Sequence, residues 1–251
     1  MNYKSKYLGT LILIIFSTVL SAQNFKIEQN KNVRVRNAYS LKWDGLKSEL
    51  IKKEIKTDNF EMYIRVFKYE KTLEVWLKSN KKKEFQLFKT YGICSSSGDL
   101  GPKRKQGDGQ VPEGFYSVSV FNPFSNYHLS LGVSYPNASD KIIGKNNLGG
   151  DIMIHGNCVT IGCIPLTDTY IEEVYVLAVE AKNSGESTIP VDIFPVKFNE
   201  NLMKQLSQKA GENTVLLDFW KNLKTGYDYF ELHKQRPKVT VDKSGKYIFG
   251  N

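Results

Sequence analysis

The sequence predicts a β-rich α+β fold built around one large domain. Segments between Met62 and Leu77 and between Phe115 and Phe121 alternate apolar and polar residues, as half-buried strands do. Loops rich in Gly, Ser, Asn and Lys separate these segments, and stripes at helical spacing follow residue 165. A chain of 251 residues is long enough to bury a sizeable core.

Residues 1–22 are predicted to be a secretory signal peptide. Lys4 and Lys6 form a short positive region, Leu8 to Leu20 is an apolar run, and Ala22 ends a small-residue cleavage site. A membrane anchor is the alternative, but the run is shorter than the roughly 20 apolar residues that a spanning helix needs. We therefore expect an exported protein of the periplasm or cell envelope that meets the membrane only through its export signal.

The composition favours an anionic partner outside the cytoplasm. The chain has a formal net charge of +9, and removal of Lys4 and Lys6 with the leader lowers it by two. A basic exported protein suits a cell-wall polymer or a membrane surface. Nothing in the sequence resembles a nucleic-acid-binding module, so no nucleic-acid partner is expected. We also expect a monomer.

The N-terminal part of the mature chain, residues 23–57, is predicted to be an arm followed by a short helix over 45–56. A catalytic domain follows over residues 58–198. It begins with a β-hairpin whose strands run near Met62–Val66 and Leu73–Leu77, and a third strand is expected within 85–93. Residues 94–114 hold so many Gly, Ser, Lys and Asp residues that they must form a loop.

The second half of this domain is expected to carry a strand over 115–121 and a short strand over 151–154. A helix should begin near Thr167, with a capping box formed by Thr169 and Glu172, and should end near Gly185. Residues 189–198 contain two prolines and are predicted to be an edge strand. Residues 199–251 are predicted to be a C-terminal extension, with an amphipathic helix over 216–227 and a final hairpin or ordered strand.

The three cysteines, Cys94, Cys158 and Cys163, give an odd count. In an oxidising compartment at least one thiol must then remain outside any intramolecular disulfide, where it is either reactive or paired with another molecule. The size of the chain and the low cysteine count exclude a scaffold held together by disulfides.

Cys163 and His155 form the strongest candidate for a reactive pair. Cys163 follows Gly162 and lies between a predicted strand and a predicted helix, and His155 ends a strand and precedes Gly156. A thiol becomes a good nucleophile when an imidazole takes its proton. The Gly156 carbonyl is placed to accept the second ring N–H of the histidine and fix its tautomer.

A zinc site is the competing interpretation of the same segment. His155, Cys158 and Cys163 are spaced as H-x2-C-x4-C, and His128 or Asp168 would have to supply a fourth ligand. So compact a structural zinc cluster normally belongs to a smaller module. We therefore predict no metal and no cofactor.

Two motifs in order resemble the L,D-transpeptidase catalytic domain (YkuD-type), and more closely its YafK-like branch. They are Ile154-His155-Gly156 followed by Thr160-x-Gly162-Cys163-Ile164, and the upstream Gly101-Pro-Lys-x-Lys-Gln-Gly-Asp-Gly-Gln-Val-Pro-Glu-Gly-Phe-Tyr116. The resemblance covers about residues 58 to 198. It implies a β-sandwich or barrel catalytic domain with a helix after the nucleophile and a helical C-terminal extension.

The resemblance implies acyl transfer on peptidoglycan stem peptides, with a wall-attached protein as a second candidate partner. Cys163 would be the nucleophile and His155 the base, with Gly156 as the third member. Backbone N–H groups around Ile161, Gly162 and Cys163 would bind the oxyanion. The expected substrate contacts are Lys103, Arg104, Lys105, Tyr116 and Thr160.

Three departures from the common family pattern leave the outcome of the reaction open. The interval from His155 to Cys163 is short, Thr160-Ile161 stands where Ser-His is usual, and Pro165 stands where an arginine is often found. The thioester would be resolved by an amine in a transpeptidase or by water in an amidase. A non-catalytic wall-binding protein is the third alternative, and the intact His155 and Cys163 count against it.

Overall fold

A computed structural model describes residues 25–80, 82–144 and 146–250. The predicted signal peptide lies outside these ranges. Within them, no helix combines the length and the apolar character that crossing a membrane requires.

One mixed sheet of eight strands dominates the fold. Its strands are β1 (Phe60–Phe67), β2 (Thr72–Ser79), β3 (Gln86–Gly92), β4 (Gly114–Asn122), β5 (Ser130–Val133), β6 (Met153–His155), β7 (Ile164–Pro165) and β8 (Pro190–Phe194). They are hydrogen-bonded in the order β3-β2-β1-β8-β4-β5-β6-β7. The strands β9 (Lys238–Val241) and β10 (Tyr247–Gly250) form a separate antiparallel hairpin.

Residues 25–30 are helical, and five further helices follow them in the described part of the chain. They are α1 (Val33–Lys52), α2 (Ala138–Gly144), α3 (Asp168–Asn183), α4 (Glu200–Ala210) and α5 (Thr214–His233). The predicted β-rich α+β class is confirmed, including the helix after Cys163 and the helical C-terminal extension.

The N-terminal segment differs from the prediction. Instead of an arm with a short helix, it contains the 20-residue helix α1, which packs against α3. The Asn32 side chain caps its first turn by accepting the Arg34 N–H. The buried residues of α1 form a narrow stripe within a polar sequence, namely Val35, Ala38, Leu46 and Leu50.

Helix α3 begins with a different cap from the one predicted. The Thr167 side chain accepts the Tyr170 N–H, so the helix starts two residues earlier than a capping box at Thr169 would place it. The end agrees with the prediction, because Gly185 follows the last turn with a φ of 94°.

Strand β8 is central, so the prediction of an edge strand is wrong. It pairs in parallel with β1 and antiparallel with β4. Pro190 begins the strand and Pro195 follows it, so neither proline removes a hydrogen-bond donor from its interior.

The sheet is buried on both faces because the C-terminal extension covers the second one. Helices α1 and α3 pack on one face, against residues such as Ile64 and Ile193. Helices α4 and α5 and strand β10 pack on the other face, against Phe67 and Phe194. On that second face, the 1 % exposed Arg65 reaches Glu231 of α5 at 2.6 Å.

Candidate active site

Strand register places His155 and Cys163 on one face of the sheet. Strands β6 and β7 are parallel, with Ile154 opposite Ile164 and His155 opposite Pro165. Continuing the register by one residue puts Cys163 opposite Met153. Because side chains alternate along a strand, those at positions 153, 155 and 163 point to the same side.

The His155 ring is buried and held in one tautomer. The residue is 2 % exposed, and Nδ1 lies 2.5 Å from the Gly156 carbonyl oxygen. A carbonyl only accepts, so Nδ1 carries the hydrogen and Nε2 remains the basic nitrogen. The Tyr127 ring packs on the imidazole with centroids 4.8 Å apart. Burial lowers the pKa of His155, and the hydrogen bond to Gly156 offsets this in part.

Cys163 is the only cysteine outside a disulfide. Its Sγ–H donates to the Asp151 carbonyl oxygen at 3.6 Å. Burial raises the pKa of the Cys163 thiol, a backbone hydrogen bond from Met153 lowers it, and the charges of Asp151 and Lys103 act in opposite directions, with the net effect upward. Near neutral pH Cys163 is therefore a thiol and His155 an uncharged imidazole, which can accept a proton.

A cavity of about 280 Å³ opens at Cys163. Its walls come from the turn between β1 and β2, from the segment after β3, and from the nucleophile strand. The lining residues include Lys68, Lys71, Ser95, Ser97, Asp99 and Cys163. Its position gives the thiol access to a small ligand.

Both glycines of the motif are required by close packing. A Cβ on Gly156 would lie 2.5 Å from Asp168 Oδ1, an atom that accepts the Asn157 N–H. Gly162 has a φ of 129°, and a Cβ there would lie 3.1 Å from the Gln110 carbonyl oxygen. These contacts fix the loop that separates His155 from Cys163.

The predicted oxyanion donors are occupied by Thr160. Its Oγ1 accepts the N–H groups of Gly162 at 3.2 Å and Cys163 at 2.8 Å, and its hydroxyl donates to the Cys163 carbonyl. The expectation that these N–H groups face the substrate is therefore not met in this arrangement. The side chain of Thr160 organises the loop, and its role as a substrate contact stays a prediction. The side chain of Ile161 is 90 % exposed.

A disulfide joins Cys94 to Cys158, with Cα atoms 5.4 Å apart. It ties the loop between His155 and Cys163 to the segment that follows β3. This pairing removes Cys158 from the alternative zinc set. Among the described residues, no group of three or more His, Cys, Asp or Glu side chains is arranged to hold a metal.

The predicted basic contacts are mostly committed elsewhere. Lys103 is buried and bonds to Asp108 Oδ1 at 2.6 Å, and Arg104 pairs with Asp140 at 2.9 Å. Lys105 is exposed, and its backbone N–H also bonds to Asp108. None of the three lines the cavity at Cys163, and their role as substrate contacts stays a prediction.

Tyr116 is buried in the core of the domain. It is 4 % exposed, and its hydroxyl donates to the Asp140 carboxylate at 3.0 Å. The side chain lies on the face of β4 that packs into the core with α1 and α3. It supports the domain, and its predicted contact with substrate stays a prediction.

Sequence reasoning missed several residues of this site, including Tyr127, Asp151 and Lys71. A partial signal exists in the backbone: His128, Asp151 and Asn157 all have positive φ values close to the site. Asn and Asp are among the residues that adopt this conformation most readily, so their presence in the sequence indicates possible turns but not a functional site.

The chain is similar to one protein family and to two named relatives. The family model described as L,D-transpeptidase catalytic domain (YkuD) matches residues 61–193. The Escherichia coli (strain K12) protein named "Putative L,D-transpeptidase YafK" is 39 % identical over 189 residues, which is 74 % of this chain and 73 % of that protein. The Escherichia coli O157:H7 protein of the same name matches to the same extent.

Two solved structures were also found to be similar. The helical cell shape determining protein Pgp2 from Campylobacter jejuni has a TM-score of 0.46 and 19 % identity, covering 79 % of this chain and 80 % of that one. Bdellovibrio bacteriovorus Bd1075 has a TM-score of 0.40 and 20 % identity, covering 72 % and 77 %. On the evidence of the matched domain and of YafK, the chain belongs to the YkuD family of L,D-transpeptidase catalytic domains.

Proposed function

We propose that this protein is an exported cysteine acyl transferase that acts on the stem peptides of peptidoglycan. The observation that carries the proposal is the position of Cys163, whose free thiol lines a cavity on the side of the sheet to which His155 points. Membership of the YkuD family and the name of the YafK relative support the substrate class.

The reaction begins when Cys163 Sγ attacks the acyl carbonyl carbon of the donor peptide. The thiol proton passes to His155 Nε2, because Nδ1 is committed to Gly156. Collapse of the tetrahedral intermediate breaks the carbon–nitrogen bond, and the same proton moves to the departing amine. The product of this half-reaction is a thioester on Cys163.

An incoming amine then resolves the thioester. Its nitrogen attacks the thioester carbonyl, its proton passes to His155, and the sulfur leaves and recovers a proton. The result is a new amide bond, hence a cross-link. Water attacking in place of the amine would give a carboxylate from the same thioester, which is the amidase alternative.

Export is supported by two independent features. Residues 1–22 carry the pattern of a secretory signal peptide. The disulfide between Cys94 and Cys158 is exposed on both cysteines, and such bonds persist in oxidising compartments such as the periplasm.

Incubation of the purified protein with muropeptides tests the proposal, with products read by mass spectrometry. We expect new cross-linked dimers from the native protein, and less than about one-thousandth of that rate from Cys163→Ala or His155→Ala. His233→Ala serves as the matched control because His233 is exposed on α5.

Each outcome of this experiment has a definite meaning. Shortened peptides without dimers would replace transfer by hydrolysis, and unchanged muropeptides would refute an enzymatic role on this substrate. Retained activity in Cys163→Ala would refute the proposed nucleophile. Circular dichroism of each variant separates loss of the catalytic group from loss of the fold.

A further inference from the structure

A buried carboxylate joins three segments of the chain beside the cavity at Cys163. Glu113 is fully buried, with an exposure of 0 %. Its Oε1 accepts the Gly101 N–H at 2.7 Å and lies 3.0 Å from Lys68 Nζ. Its Oε2 accepts the indole N–H of Trp220 at 2.9 Å. The two oxygens therefore bind different parts of the fold, through bonds that an ionised acceptor makes stronger than those between neutral groups.

Lys68 extends this network into the cavity wall. Its side chain is 7 % exposed, and Nζ donates to the carbonyl oxygens of Gly101 at 2.8 Å and Val111 at 2.9 Å as well as to Glu113. These bonds use all the hydrogens of the ammonium group. Lys68, Leu100 and Val111 line the cavity, and Gly101 directly follows Leu100. The network therefore holds together wall segments that come from the β1–β2 turn and from the loop between β3 and β4.

The C-terminal extension enters the network through Trp220 of α5. This side chain is 0 % exposed and belongs to the apolar cluster on the second face of the sheet. The extension meets the same wall again where Lys209 of α4 reaches Asp99 at 2.5 Å. That second pair is exposed, and exposed ion pairs stabilise little. The buried bond from Trp220 to Glu113 is therefore the stronger of the two links, although no described residue of the extension lines the cavity itself.

The reactive pair lies outside this network. In the described part of the chain, none of the hydrogen bonds and ion pairs of Glu113, Lys68 and Trp220 reaches the side chain of His155 or Cys163. A change in the network should therefore alter how the wall holds a ligand, while the proton transfer between thiol and imidazole is left as it is.

We propose that Glu113 is a positioning residue for the acyl donor, and that through Trp220 it makes the C-terminal extension a necessary support of the active site. Glu113 itself touches no substrate, and it acts by holding Lys68 and the segment before Gly101 where they form the cavity wall. This inference rests on the proposed function for the identity of the ligand. A misplaced wall weakens the binding of the donor, so the expected defect lies in KM and spares kcat.

Glu113→Gln tests this role in the muropeptide assay. Glutamine keeps the size of the side chain, but it leaves Lys68 without its counter-charge and replaces one acceptor oxygen by a donor. We expect the KM for the donor to rise about tenfold or more, while kcat stays within about threefold of the native value.

Glu74→Gln is the matched control, because Glu74 has the same kind of surroundings away from the cavity. It is 5 % exposed, accepts the Trp76 indole N–H at 2.9 Å and pairs with Lys197 at 2.5 Å, and it does not line the cavity. We expect native values of KM and kcat. Both variants lose a buried carboxylate with the same types of partner, so a rise in KM in Glu113→Gln alone does not come from lost stability.

Trp220→Phe tests the link to the extension and disturbs the fold less. Phenylalanine keeps an aromatic ring in the cluster and removes only the N–H that Glu113 accepts. We expect the KM to rise about 3- to 10-fold, because one bond to a charged group is lost. Trp76→Phe removes the corresponding bond to Glu74 and should leave the KM unchanged.

The reactivity of Cys163 provides a readout that needs no substrate. Cys163 is the only cysteine outside the disulfide, so alkylation by N-ethylmaleimide, followed by mass spectrometry, reports on this thiol alone. A loosened wall opens the cavity, and we expect the alkylation rate to rise at least about twofold in Glu113→Gln. The rate in Glu74→Gln should equal that of the native protein.

The outcomes separate this inference from the proposed function. A native protein that does not convert the donor contradicts the proposed function, and the alkylation rates then still decide whether Glu113 holds the wall. An unchanged KM or an unchanged alkylation rate in Glu113→Gln would overturn the positioning role, and so would a loss confined to kcat. Equal changes in Glu74→Gln would also overturn it, because they would indicate a general effect of lost stability.

Discussion

The disulfide between Cys94 and Cys158 allows a quantitative test of the structure. The bond closes a loop across a sequence separation of 64 residues. In the chain-entropy account, a cross-link of this length removes enough freedom from the unfolded chain to stabilise the folded protein by about 4 kcal/mol. Because each kcal/mol shifts the midpoint of a chain this size by a few degrees, its loss should lower Tm by roughly 10 °C.

The assay is urea unfolding followed by tryptophan fluorescence in a Cys163→Ser background, which prevents thiol exchange. The comparison variant also carries Cys94→Ser and Cys158→Ser. Serine keeps the backbone N–H at position 94 that donates to the Pro165 carbonyl at 3.1 Å, so the folded loop is largely preserved. The expected difference in the free energy of unfolding is therefore due mainly to the cross-link.

A difference below about 1 kcal/mol would refute the reasoning, because it would mean that the cross-link does not restrain the unfolded chain. A thiol count provides the control for the bond itself. Native protein denatured without reductant should show one reactive thiol, and reduced protein should show three. Three thiols without reductant would contradict the pairing.

Three other positions test the site and the fold. Gly162→Ala should lower kcat/KM at least tenfold and reduce the free energy of unfolding by about 1–3 kcal/mol, because Gly162 has a φ of 129° and its Cβ would contact Gln110. Native values of kcat/KM and of the free energy of urea unfolding would contradict this reasoning. Tyr127→Ala exposes His155 and raises the pKa of His155 toward 6.5, so the acid limb of the pH–rate profile should move to higher pH. Tyr127→Phe should leave the acid limb in place. An unmoved acid limb in Tyr127→Ala would show that the Tyr127 ring does not lower the pKa of His155. Burial raises the pKa of Glu186 from 4.5 to about 8, so its ionisation in the folded protein lowers the free energy of unfolding as the pH rises from 4.5 to 8. Between pH 5 and pH 8.5, urea unfolding should show a larger fall in this free energy for the native protein than for Glu186→Gln. Equal falls would refute the assignment.

Several strands and the helix after Cys163 could be predicted because their signals are local. The alternation in β1 and β2 reflects the period of a strand, and the helix after Cys163 carries a clear apolar stripe. The hydrogen bond from His155 to Gly156 joins neighbouring residues, so the order of the motif was enough to anticipate it.

The remaining features depend on contacts between distant segments. The pairing of Cys94 with Cys158 is decided by where β3 and β6 bring their following loops, and no spacing rule contains that information. Tyr116 was assigned to the substrate because the motif does not reveal which face of β4 is buried. The prolines of β8 indicated an edge, although both lie at the ends of the strand.

The central position of β8 also determines how the chain can fold. Strands β1 to β3 form one antiparallel group and β4 to β6 form another, and β8 is the strand that joins the two groups. Because β8 comes last in the sheet's chain order, the two groups become one hydrogen-bonded sheet only when residues 190–194 are present. Closing the sheet then requires contacts between the first and last strands, which makes folding slow and leaves unpaired edges exposed in any shorter chain. Truncation before Pro190 would therefore yield two half-sheets with exposed edges, and the β1–β2 turn and the nucleophile strand, which both line the cavity at Cys163, would no longer belong to one sheet.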